Sequence, residues 1–582
     1  MSTKLRVFAA TTAALTLLAS ASPAQDGRVG LKSGWLDAGA SISNLRLVSQ
    51  TPRSAGFFDP TNPGDFFTAN TDLAFKGNLA FLGNFAGFQV YDISDPAHPR
   101  LRLGFSCPGG QGDLSVYQNL LFMSVEMPNG RTDCGTNAPT TAVSPDRFNG
   151  VRIFDISNLD RPRQVAAIQT CRGSHTHTLV PDLRDRSRVF LYVSGVGPVR
   201  TAEMQGCTGG PPEQNPNTAM FRIEVIEVPL AAPEAARVVN APRIFADRQS
   251  GAIAGLWAGG NHGPGSQQTA TTESCHDITV YPEIGLAAGA CSGNGILLDI
   301  SDPANPVRID EVMDNNFAYW HSATFSNDGR SLIFTDEWGG GMAPRCRAAD
   351  DPKWGANALF NLVDRKLAFA GYYKLPAAQS ATENCVAHNG SLIPVPGRDI
   401  KVQAWYQGGI SVFDFTDPVK PVEIASFDRG PVSDTTLHLA GQWSSYWYNG
   451  HIIGSEIARG LDVLELVASP HLTQNEIDAA RLVQLETFNP QTQPRAIWPP
   501  AFVVARAYLD QLARGATVPA ARLGAIRTEL ARVEALAPGA PRRAALEQLA
   551  GTATQLAGIG ADTDARRLRA LARTLREIAV LP

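Results

Sequence analysis

Charge is scarce in this chain. Only 18% of its 582 residues are Asp, Glu, Lys or Arg, against 44% hydrophobic. That balance excludes a disordered polymer and a coiled coil, and the 53 Gly and 40 Pro lack the period of a collagen. Neither sign of charge is in marked excess. Fifty basic residues stand against 55 acidic ones, a formal net charge of -5, so nothing points to nucleic acid. No apolar run long enough to span a bilayer occurs after the first 25 residues. The sequence also lacks a G-x-S-x-G elbow, a P-loop, an H-E-x-x-H pair, an EF-hand loop and a C-x-x-C-H haem site. These absences exclude the chemistries that short motifs most readily announce.

What is present begins with an export signal over residues 1–24. Lys4 and Arg6 precede the apolar stretch 7–18, and small residues follow, with Ala21 or Ala24 ahead of a cleavage point. Export to the periplasm or beyond puts the eight cysteines in an oxidising compartment, where an even count reads as four disulfides.

One phrase recurs four times, as FQVYDISDPAHP (88–99), VRIFDISNLDRP (151–162), GILLDISDPANP (295–306) and ISVFDFTDPVKP (410–421). Each copy is a β-branched and aromatic run, an Asp turn, a Pro and a further short strand. Asp92, Asp155, Asp299 and Asp414 take equivalent places and are expected to accept backbone N–H groups in the turn. With the weaker copies, seven units of four strands fill about residues 70–470. Such spacing predicts a mainly β fold, a seven-bladed β-propeller with six blades as the alternative count. Residues 25–69 form an N-terminal extension available to complete the last blade, and 471–495 a linker. From 496 to 582 Ala, Leu and Arg recur at helical spacing, and four helices are expected to form a small bundle.

The phrase VYDISDPAHP resembles the LVIVD-repeat family of exported bacterial proteins. The resemblance implies a propeller over roughly 70–470 and extends into LTQNEIDAARLVQLETFNPQ (472–491). It implies no common activity, because fold and function are separable.

The histidines follow the frame. His175, His276, His321 and His388 each open an H-x-x-[ST] at the start of a first strand, in four consecutive units. First strands line a propeller's channel, so four imidazoles are expected around one mouth. Two roles stay open there. Each histidine can brace neighbouring strands through its Ser or Thr, or the four can hold one divalent transition metal, the candidate cofactor. Strand ends on the same face carry Glu126, Asp336, Glu337, Gln407, Glu456 and Arg459, and Asp113 and Asp277 open first strands. Glu337 is the first choice for a general base or an extra ligand. His177 is expected to point away from its neighbours by strand alternation.

In this register all eight cysteines fall on that face. Sequential pairing is expected, Cys107 with Cys134, Cys171 with Cys207, Cys275 with Cys291 and Cys346 with Cys385, each tying a long loop to a unit boundary. The loops 127–149, 196–218, 246–274 and 338–358 carry or adjoin Trp257, Trp320, Trp338, Trp354 and Trp405, which read either as loop packing or as a stacking surface. Two functions follow. One is an exported propeller whose stapled face binds a protein, glycan or small molecule. The alternative is a metal-dependent hydrolase or oxidoreductase with a histidine-rich site at the channel mouth.

Overall fold

The computed structural model describes residues 26–581 except 63, 142, 516 and 559–561. The expected signal segment lies outside the described residues. The chain is mainly β, built from small antiparallel sheets, and ends in helices.

Each unit opens with a first strand: β1 (Asn70–Lys76), β2 (Leu114–Tyr117), β3 (Thr178–Pro181), β4 (Ile278–Tyr281), β5 (Trp320–Phe325), β6 (Asn389–Ile393) and β7 (Gln442–Tyr448). The units begun by β2, β3, β4 and β5 are separate four-stranded sheets in sequence order. The unit of β1 gains a fifth strand, Thr487–Phe488, along β1 itself. The last two units join into one nine-stranded sheet through parallel pairing of β6 with β7. Its two edges are N-terminal. Ala40–Ser43 pairs with Val422–Arg429, and Leu45–Thr51 pairs with Gly460–Leu466, supplying the fourth strand that the unit of β7 lacks.

Burial explains the strand composition. Second strands such as Leu120–Val125 and Ser331–Asp336 are buried on both faces, whereas the outer strand Arg100–Ser106 is mostly exposed. Sheets that face each other on both sides require the unbroken apolar runs seen in the sequence. The turn aspartates do what the repeated phrase requires. Asp92 accepts from Ser94 N at 3.0 Å, Asp155 from Ser157 N at 2.9 Å, and Asp299 and Asp414 from Ser301 N and Thr416 N at 2.8 Å. These bonds, with Arg100 alongside, bring the Asp92 carboxyl down to about 2.

The far ends of the first strands are closed by the segment after residue 486. Asn489 donates to Val116 O at 2.9 Å and accepts from Val116 N at 2.7 Å. Gln493 does the same to Phe325, at 3.0 and 2.9 Å, and its own N–H bonds Val280 O. Buried backbone groups at three strand ends are thus satisfied by a single crossing segment.

Among the described residues a further helix, α1 (Gln474–Arg481), lies in the segment read as linker, and the stretch 496–582 holds the four expected helices, α2 (Phe502–Arg514), α3 (Ala520–Glu534), α4 (Ala540–Ala557) and α5 (Asp562–Ala579). A capping box of Thr473 and Glu476 starts α1. The bundle sits at the far end too: Trp498 donates to Pro394 O and Gln511 to Pro396 O, each at 2.7 Å. Among the described residues no helix is long and apolar enough to cross a membrane.

Candidate metal centre

Hydrogen bonds between successive first strands bring the histidines together. Thr176 Oγ1 donates to His276 O and Thr178 Oγ1 to Ile278 O, both at 2.5 Å. Thr279 Oγ1 donates to Ala323 O at 2.9 Å, and Asp277 N to His321 O at 3.0 Å. The hydroxyls of the H-x-x-[ST] frame therefore brace the next strand's backbone directly, and the imidazoles are released from that task.

Those imidazoles stand in a row. Ring centroids are 4.4 Å apart from His175 to His276, 3.8 Å from His276 to His321 and 4.3 Å from His321 to His388. Three of the rings are anchored through Nδ1. His175 meets Glu126 at 2.5 Å, His276 meets Asp277 at 3.0 Å, and His388 donates to the Trp443 carbonyl. Their Nε2 atoms turn inward, and those of His175 and His276 face each other at 2.7 Å. Glu337 lies between the other two, 3.7 Å from His321 Nε2 and 3.5 Å from His388 Nε2. Neither nitrogen of His321, nor Nε2 of His388, has a hydrogen-bond partner among the described residues.

Burial dominates the electrostatics. It holds His276 and His321 well below the usual imidazole range, with neighbouring imidazoles adding to the effect, and brings His388 down to about 3. His175 goes the other way. Burial opposes its charge, but Glu126 more than offsets this, and a fifth of the side chain stays exposed. Burial lifts Asp277 and Glu337 to about 7. Three of the four imidazoles are thus held neutral, His175 leans towards its charged form beside Glu126, and carboxylates flank the row; imidazole with carboxylate is a donor set suited to Zn, Mn, Fe or Cu.

The remaining expected residues lie elsewhere. Asp336 accepts from the backbone of Ala318, Tyr319 and Gly355 and fixes a loop. Gln407 binds Asn384, His438 O and Val432 N. Glu456 accepts from Gly441 N and pairs with Arg459, whose guanidinium also donates to Trp35 O and Gly34 O. Asp113 sits one level deeper, accepting from His177 N at 3.0 Å. His177 does point away from the row. It bridges Ser115 at 2.6 Å and Ser124 at 2.9 Å, and burial brings it to about 3, so it is a neutral strand brace. The stacking surface is not formed as a set: Trp320 and Trp405 are fully buried, and Trp338 and Trp354 flank the Arg345 guanidinium.

Two residues next to the row escaped the sequence reading. Tyr406 donates to Glu337 Oε1 at 2.5 Å, and the Tyr319 ring stands edge-on to His276 at 5.8 Å. Tyr406 directly precedes Gln407, so the strand-end argument reached its neighbour. Gly341, at φ +73°, closes a loop over this pair, where a Cβ would lie 2.4 Å from Tyr406 Oη.

The disulfides are Cys107–Cys134, Cys171–Cys207, Cys275–Cys291 and Cys346–Cys385, the sequential set. Four cystines fit an exported chain.

No curated protein matches the sequence. Among solved structures, the periplasmic gluconolactonase of Pseudomonas aeruginosa aligns at 12% identity over 69% of this chain and 96% of that one, with a TM-score of 0.39. A Lactobacillus plantarum protein aligns at 11% identity over 71% of this chain and 94% of that one, TM-score 0.39. Hydrazine synthase of Kuenenia stuttgartiensis aligns at 11% identity over 65% and 89%, TM-score 0.37. Residues 69–106, which contain the first copy of the repeated phrase, match the family model of the LVIVD repeat. The chain therefore carries one segment, residues 69–106, that matches the LVIVD repeat.

Proposed function

We propose that this protein is an exported seven-bladed propeller whose channel mouth holds a transition-metal centre, and that it works as a metal-dependent hydrolase or oxidoreductase. One observation carries the reading. Three imidazoles are anchored through Nδ1, by Glu126, Asp277 and the Trp443 carbonyl, and turn Nε2 towards a shared interior. A second partner on the far nitrogen is how ligating histidines are held in orientation. Buried polar atoms nearly always find partners, so the bare nitrogens of His321 and His388 are informative.

The sheet pairing supports a count of seven blades. Seven first strands succeed one another, and the ring closes where Tyr446 of β7 donates to Asp72 of β1 at 2.6 Å. Glu337 supplies a carboxylate between His321 and His388, either as a ligand or as the base for a bound water, with Tyr406 fixing its orientation. A divalent ion in that setting polarises a bound oxygen or lowers the pKa of a bound water. The cystine-tied loops around the mouth supply the surface that receives a small molecule, glycan or protein. The LVIVD match and the cystines support export.

The test is metal analysis of the mature protein purified without a His-tag, after reconstitution with zinc or copper. A stoichiometric ion is expected, lost in the His276→Ala/His321→Ala variant while circular dichroism shows the fold intact. Wild-type protein that retains no metal contradicts the proposal.

A further inference from the structure

The centre just proposed has more donors than one ion can use, and their spacing divides them. Ligands of one first-row ion sit about 2.0–2.3 Å from it, so no two are much more than about 4.5 Å apart. The imidazole row is longer than that. Its ring contacts join successive members only, His175 to His276, His276 to His321 and His321 to His388. The donors instead form two groups of three, His276–Asp277–His321 and His321–Glu337–His388, with the ligating atoms of each within 4.8 Å of one another. The groups share His321, and His321 is the one ring in the row without an anchor on either nitrogen.

We infer that the channel mouth holds two metal ions, one in each group, with His321 between them as an imidazolate that gives one ring nitrogen to each, its N–H proton released to solvent as the second ion binds. This rests on the metal-centre reading above and deepens it. The first ion takes His276 with Asp277 at hand, and His175 approaches from the solvent side through its Nε2. The second takes His388 and Glu337, with His321 Nε2 turned towards the same carboxylate. Two adjacent ions also explain an otherwise costly feature, a fully buried imidazole with both nitrogens bare.

The experiment titrates Zn(II) into metal-free, disulfide-intact mature protein and counts ions per chain by native mass spectrometry. Two ions are expected in the wild type. His175→Gln and His388→Gln should each retain one, the double variant none, and His321→Gln at most one with weakened affinity. Loading the wild type with Cu(II) should give an electron paramagnetic resonance spectrum broadened by coupling between the ions, reverting to an isolated-ion spectrum in His388→Gln. One ion in the wild type, with an uncoupled Cu(II) spectrum, overturns the pair and leaves the single centre standing. No ion at all overturns both. The wild-type count decides the matter even if a variant fails to fold.

Discussion

In the seven-bladed propeller proposed above, the two ends of the axial channel are built from the same first strands and differ in one respect. At the base the segment after residue 486 answers the ends of several strands. Asn489 pairs with both backbone groups of Val116, and Gln493 with both of Phe325. At the mouth three imidazole nitrogens are buried and unanswered. Unpartnered buried atoms occur elsewhere too, Trp447 Nε1 beside the closing segment among them, but at the mouth they cluster on imidazoles next to Glu337. That clustering of unanswered imidazoles with carboxylates is what supports the proposal that the mouth is the working end.

That contrast can be broken first at the base. Asn489→Ala/Gln493→Ala strips partners from four buried backbone groups. At about 1–3 kcal/mol each, the loss should reach about 4 kcal/mol or more in urea denaturation, with metal content unchanged. If the double variant is as stable as the wild type, the segment after 486 is an ornament on the fold.

The cystines sharpen the comparison because they crowd the mouth. Loop-closure entropy assigns about 4 kcal/mol to a bridge enclosing 39 residues and about 3 kcal/mol to one enclosing 16. Replacing Cys346 and Cys385, 39 residues apart, should therefore cost more than replacing Cys275 and Cys291, 16 apart. The order of the two unfolding midpoints checks this. A reversed order would mean that the bridge beside His276 holds the site as well as the chain.

His177 separates bracing from binding within the histidines. His177→Ala leaves Ser115 and Ser124 without their shared partner. It should cost about 1–3 kcal/mol by calorimetry while the metal count stays at the wild-type value. Loss of metal with no loss of stability would reverse the roles of His177 and the row.

The smallest effect concerns the turns on the outer rim. Asp92, Asp155, Asp299 and Asp414 are all held below the usual carboxylate range, Asp92 at about 2. A depressed folded-state pKa stabilises above the unfolded value, near 4, and that contribution is lost as pH falls towards 2. Unfolding free energy should drop across that window, and Asp92→Asn should flatten part of the slope in denaturation series between pH 2.5 and 5. An unchanged slope would mean that other carboxylates govern acid unfolding.

How much of this the sequence carries depends on how local each feature is. The turn aspartates, the H-x-x-[ST] frame and the sequential cystines are legible because each sits at a fixed place in a repeat, and the repeat determines where it points. The base is not legible in that way. Asn489 and Gln493 act on strands that begin 375 and 173 residues earlier, and nothing in their neighbours reports those partners. Asp336, Gln407, Glu456 and Arg459 stand at the expected strand ends, yet their side chains turn to backbone N–H and C=O groups of adjoining loops. A strand end fixes where a residue starts and leaves open which way a flexible side chain turns. Helix α1 carried its signal in Thr473 and Glu476, a capping box inside a stretch otherwise read as linker.

The most direct measurement is a crystal structure of the zinc-loaded protein with diffraction data on both sides of the zinc absorption edge. Anomalous peaks are predicted beside His276 and His321 and between His388 and Glu337, about 2.0–2.3 Å from the ligating nitrogens. Crystals without such a peak, in which the nitrogens of His321 and His388 instead bond to ordered water, would contradict the metal centre and everything built on it.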